Sequence, residues 1–82
     1  MLELFHAITD PGSAKVRRYV VEHELGGAVR FRNVSYPEVQ TDLAAHGGGA
    51  TPALWDGHQL VVGADAIIAR LDALRDVGRG DA

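Results

Sequence analysis

The stretch "LELFHAI" (2–8) is apolar on both alternating faces, and within two residues it gives way to "DPGSAK", a helix start. A strand apolar on both sides belongs in the interior of a sheet covered on both faces. Asp10 can accept hydrogen bonds from the first free N–H groups of a helix. Pro11 at the first helical position loses nothing by lacking one. The helix is expected from Pro11 to about Leu25, with Val16, Tyr19, Val20 and Leu25 near one face and Gly26-Gly27 as its left-handed stop. "AVRFRNV" (28–34) then alternates Val29 and Phe31 against Arg30 and Arg32, as a half-exposed strand does. Strand, helix and strand joined in this order form a right-handed parallel unit.

The remainder extends that unit. Ser35 followed by Glu38 fits a capping box with Pro37 in the first turn, and Val39 and Leu43 give a short helix one apolar stripe. "AHGGGA" (45–50) reads as a loop, either simply flexible or there to let a ligand backbone approach closely. "TPALWDGHQLVV" (51–62) reads as a hairpin around Asp56-Gly57, with room for an extra turn residue, and Trp55 is expected to pack within it. From Ala64, Ile67, Ile68, Leu71 and Leu74 recur at helical spacing, and "DVGRGDA" follows as a frayed tail. The order β-α-β-α-β-β-α predicts an α/β protein: a four-stranded mixed sheet with helices on both faces. It is expected to form a single domain over 1–76 with a flexible tail over 77–82.

Composition sets limits on chemistry. Of 82 residues none is cysteine, which removes disulfides, thiol–disulfide exchange, Cys-ligated zinc and iron–sulfur clusters. A net charge of −3 points away from nucleic acid and anionic membranes. With no long apolar run and no basic segment ahead of one, neither secretion nor membrane spanning is expected, and the expected location is cytoplasmic. His6, His23, His46 and His58 show no metal-ligand spacing, so no metal is expected.

Two local signatures resemble the thioredoxin fold, in particular the glutaredoxins and the N-terminal domain of glutathione transferases. Where glutaredoxin-like domains read Cys-Pro-Tyr-Cys-x-Lys-Val-Arg, this chain reads Asp10-Pro11-Gly12-Ser13-Ala14-Lys15-Val16-Arg17 without a gap. Asp10 and Ser13 stand where the two cysteines would be. "ATPALWDG" followed by "VVGADAIIARL" is similar to the family's Val-Pro-x-Leu-x-x-Gly hairpin and the helix start after it. The resemblance implies a cis peptide at Thr51-Pro52, with the Thr51 backbone meeting the cysteinyl part of glutathione. It places Gly63, Ala64 and Asp65 at the γ-glutamyl end. Gly63-Ala64 replace the Glu-Ser pair common in transferases, whereas Asp65 fits the glutaredoxin form.

Asp10-Pro11 is first of all a cap and a first-turn proline. As a thiol substitute Asp10 cannot form a mixed disulfide and repels a thiolate. Ser13 could donate its hydroxyl to a bound thiolate, as in serine-type glutathione transferases, or serve only within the helix start. Lys15, Arg17 and Arg18 form either a solvated face or a partner for a ligand carboxylate. Three functions follow: a redox-inactive module binding glutathione or a peptide partner, a minimal transferase using Ser13, or a protein-interaction domain with an empty site. The transferase alternative lacks, within these 82 residues, the all-helical domain that supplies most of the electrophile pocket.

Overall fold

The computed structural model describes the backbone of residues 1–80 and the side chains through 76. The elements are β1 (Leu2–His6), α1 (Pro11–Glu22), β2 (Val29–Asn33), α2 (Pro37–Ala45), β3 (Ala53–Trp55), β4 (Leu60–Val62) and α3 (Ala64–Gly80). The four strands form one mixed sheet in the order β2-β1-β3-β4, with β1 parallel to β2 and antiparallel to β3. Among the described residues no helix is long and apolar enough to cross a membrane.

The two-sided apolar character of β1 is used on both sides. Leu4 joins Val16, Val20, Leu54, Ile67 and Leu71 in the layer under α1 and α3. Phe5 joins Val39, Leu43 and Ala53 under α2. Burying such side chains contributes about 1.5–3 kcal/mol each, so a one-residue slip that exchanged the two faces would be costly. The edge strand β2 departs from expectation. Phe31 lies on the α1 side, level with Leu4, yet is 41% exposed, because helical cover ends at the sheet edge. Arg32, on the other face, is partly buried and ion-paired with both Glu3 and Asp42, tying β2 to β1 and α2.

Helix ends supply three corrections. The left-handed residue that stops α1 is Glu24 (φ 55°), not Gly26 or Gly27. Leu25 N–H donates to Val20 C=O (2.8 Å) and Glu24 N–H to Val21 C=O (3.2 Å), a Schellman closure that carries Leu25 back onto the core. The chain turns there because the apolar Leu25–Val20 contact sets the position of the closure, leaving the glycines in the connection beyond. At α2 the expected capping box is absent. Tyr36 holds the cap position without a side-chain bond, and Asn33 Oδ1 instead accepts from Ser35 N–H (2.9 Å), so Pro37 alone sets the first turn. "AHGGGA" is a helix stop as much as a loop: Gly47 (φ 85°) closes α2, and a Cβ on Gly48 would collide with Leu43 and Leu60.

The hairpin closes through Asp56–Gln59. Asp56 Oδ1 accepts from the N–H groups of His58 and Gln59 (2.8 Å each), and its Oδ2 pairs with Arg70 of α3 (2.9 Å). Trp55, expected to pack within the hairpin, also reaches beyond it, stacking on His46 at the end of α2 with ring centroids 3.9 Å apart. Helix α3 continues to Gly80, past the domain limit expected at 76. Extending a packed helix is cheap, and a lone glycine such as Gly78 weakens it without ending it. Residues 81 and 82 of the expected tail lie outside the described residues.

The two helix stops respond oppositely to substitution. Glu24→Gly relieves a left-handed side-chain clash and is expected to raise unfolding stability by about 0.5–1 kcal/mol. Gly47→Ala imposes one and should lower it by about 1 kcal/mol. Urea midpoints with unchanged m values measure both, and a destabilised Glu24→Gly variant contradicts the assigned closure.

Candidate functional site

Three elements meet beyond the C-terminal end of β1. At Gly12, in the first turn of α1, a Cβ would lie 3.1 Å from Pro52 Cδ and 3.8 Å from the Cβ of Ala64 at the start of α3. The Thr51-Pro52 peptide is cis, as the resemblance implied. The sequence produces this meeting by placing a helix start directly after the central strand and a hairpin with a second helix start on the other side of it.

Asp10 caps α1, and its carboxylate is the centre of the site. Oδ2 accepts from Ser13 Oγ–H (2.8 Å), Ser13 N–H (3.2 Å) and the Thr51 hydroxyl (3.3 Å). Oδ1 accepts one long bond from Gly12 N–H (3.4 Å). The Ser13 hydroxyl is the first cause holding the Asp10 carboxyl below its ordinary pKa, supported by the two backbone N–H groups and Thr51. The carboxylate thus joins α1 to the segment before Pro52. Composition gave no hint that the Thr51 hydroxyl takes part.

Ser13 is fully buried. Its oxygen accepts from Ala7 N–H (3.1 Å) while its hydrogen goes to Asp10. Donating to a thiolate would mean leaving Asp10. Arg17, one turn later, is also engaged: Nη1 donates to Ala7 C=O (3.1 Å) and meets His6 Nδ1 (3.1 Å), while Nη2 reaches Ile8 C=O (3.5 Å). His6 is buried, and burial, with the Arg17 guanidinium adding to it, pushes its pKa down, so it accepts at Nδ1 as a neutral ring. Arg17 therefore fastens the β1–α1 connection, and Lys15 pairs with Asp65 (2.8 Å), an exposed bond that holds the Asp65 carboxyl below its ordinary pKa. Of the basic cluster, these two are engaged by the protein's own groups.

The remaining expected residues supply backbone. Thr51 N–H and C=O enter no backbone hydrogen bond among the described residues. Gly63 (φ 99°) donates to Pro52 C=O and accepts from Ile67 N–H (3.0 Å each), leaving the first N–H groups of α3, at Ala64 and Asp65, turned out of the helix. Such a helix start suits a carboxylate. An open cavity of about 360 Å³ lies beside Thr51, lined in part by Gln40, Leu43, Gly48 and Gly49. Among the described residues no group of His, Asp or Glu could hold a metal ion. The donors present are backbone N–H groups and hydroxyls, and the group at their centre, Asp10, is a carboxylate.

Sheet order, helix layers and the cis proline beside a helix start define a thioredoxin-like domain. A family model described as "Glutathione S-transferase, N-terminal domain" matches residues 4–79, so the chain belongs to that family. No curated protein matches it.

Three expectations follow for Asp10. Asp10→Ala should lower Tm by several degrees, as loss of a helix cap does in a domain this small. The folded pKa lies below the unfolded one, so the charged carboxylate stabilises the fold fully above about pH 3.9 and ceases to as pH falls through the depressed folded value. Stability of the parent relative to Asp10→Asn should therefore decline in acid, and a gap that widens on acidification contradicts the cap geometry. In Asp10→Cys the same donors should hold the new thiol well below the ordinary value of about 8.5. Absorbance at the thiolate band against pH measures it.

Proposed function

We propose that this domain is a redox-inactive binding module that takes glutathione, or a peptide of the same extended shape, by its backbone and carboxylates. The observation that carries this reading is the closed Asp10–Ser13 pair: the two residues at the family's cysteine positions satisfy each other. With no cysteine in the chain, no side chain can form a mixed disulfide. The Thr51 backbone is free to pair with an extended ligand as a short added strand. The start of α3 faces the place of a γ-glutamyl carboxylate, and Asp65 the place of its amino group, in competition with Lys15.

Affinity is low in this reading. The Glu-Ser pair is replaced by Gly63-Ala64, and each lost charged hydrogen bond removes about 1.5–3 kcal/mol, about ten- to a hundredfold in Kd. The Asp10 charge adds repulsion of a thiolate. The serine-type transferase reading is disfavoured, since Ser13 is fully buried and would have to take its hydroxyl proton away from Asp10 to donate to a ligand sulfur.

A glutathione titration followed by amide shifts tests the proposal. Millimolar binding is expected, with shifts at Thr51, Gly63, Ala64 and Asp65, and S-methyl glutathione should bind no more weakly than glutathione. A glutathione-coupled thiol-transfer assay should stay at the no-protein blank. Absence of movement at all four residues at low-millimolar ligand, or turnover above the blank, overturns the reading.

A further inference from the structure

The carboxylate at the centre of this site forms no ion pair with any cation among the described residues. Among the described residues the ion pairs join Lys15 to Asp65, Arg32 to Glu3 and Asp42, Arg70 to Asp56, and Arg75 to Asp72. None reaches Asp10. Arg17, in the next turn of the same helix, is held on Ala7, Ile8 and His6. The donors on Asp10 are uncharged and lie unevenly: three converge on Oδ2, and Oδ1 has only the 3.4 Å bond from Gly12 N–H. An ionised carboxylate has about four acceptor positions, so the spare ones are on Oδ1. The Asp10 side chain is partly exposed and reaches the Thr51 hydroxyl, next to the unpaired Thr51 backbone.

We propose that Asp10 makes this pocket selective for an extended peptide-like ligand whose central side chain carries an ammonium group. The proposal rests on the backbone-binding reading above and specifies its ligand. The Thr51 hydroxyl lies 3.3 Å from Asp10 Oδ2, so a ligand residue paired with the Thr51 backbone sits beside this carboxylate. An ammonium supplies donors and the missing positive charge together, where a thiolate meets like charge and an alkyl group leaves the acceptor unmatched. The residue that removes sulfur chemistry thus also sets a new specificity.

The test uses two tripeptides of equal shape, γ-glutamyl-diaminobutyryl-glycine and γ-glutamyl-norvalyl-glycine, titrated at low salt and near-neutral pH with amide shifts as the readout. The diaminobutyryl peptide should bind about two- to fivefold more tightly, the range of one partly exposed charged contact. Asp10→Asn keeps a good helix cap and should fold. In that variant the ratio should fall close to one. The parent binding both peptides alike, or a preference that survives Asp10→Asn, overturns the proposal while the backbone-binding reading stands. If neither peptide moves Thr51, Gly63 or Ala64, both fall.

Discussion

Strand β1 lies between β2 and β3 and presents Leu4 to one helical layer and Phe5 to the other, both fully shielded from solvent. Its register cannot shift by one residue without exchanging a leucine and a phenylalanine between differently shaped cores. That fixes where the chain leaves the sheet. After His6 it has three residues in which to reach Asp10, and Arg17 and Ser13 hold that short connection through Ala7 and Ile8. The start of α1 is thereby set against the segment bearing Pro52, and the site is a consequence of how the centre of the sheet is packed.

Much of this was legible in the sequence because the signals are local and repeated. Alternation in "LELFHAI", the Asp10-Pro11 start and the Asp56-Gly57 turn each name an element, and their order leaves few topologies. The misreadings fall at ends. Glycine is the ordinary residue for a left-handed stop, so Gly26-Gly27 drew the assignment that belongs to Glu24. What decides the matter is the contact of Leu25 with Val20 and the core, a tertiary fact that propensity does not contain. Ser35 and Glu38 have capping-box spacing, but Asn33 binds the Ser35 N–H first, two residues away in the chain. Phe31 alternates correctly and is still exposed, since alternation gives a face and says nothing of where cover on that face stops.

The site was legible in its members and not in its wiring. Asp10, Ser13, Thr51, Pro52, Gly63, Ala64 and Asp65 could be aligned with the family, and residues 4–79 match its model. That Ser13 turns its hydrogen to Asp10, that Thr51 adds its hydroxyl 41 residues away, and that Lys15 already engages Asp65 depend on side-chain placement after folding. These bonds bear on function more than the list of members does. They make Asp10 a fixed carboxylate that caps α1 and joins it to the segment before Pro52, beside a Thr51 backbone with no backbone partner among the described residues.

Following the Asp10 carboxyl carbon by NMR through an acid titration tests this account most directly. A midpoint below that of an ordinary aspartate is expected, with the Ser13 and Thr51 amide signals tracing the same curve because both residues donate to the same oxygen. A midpoint at or above the ordinary value, with Ser13 and Thr51 unmoved, would show that the carboxylate is not the link between α1 and the Pro52 segment.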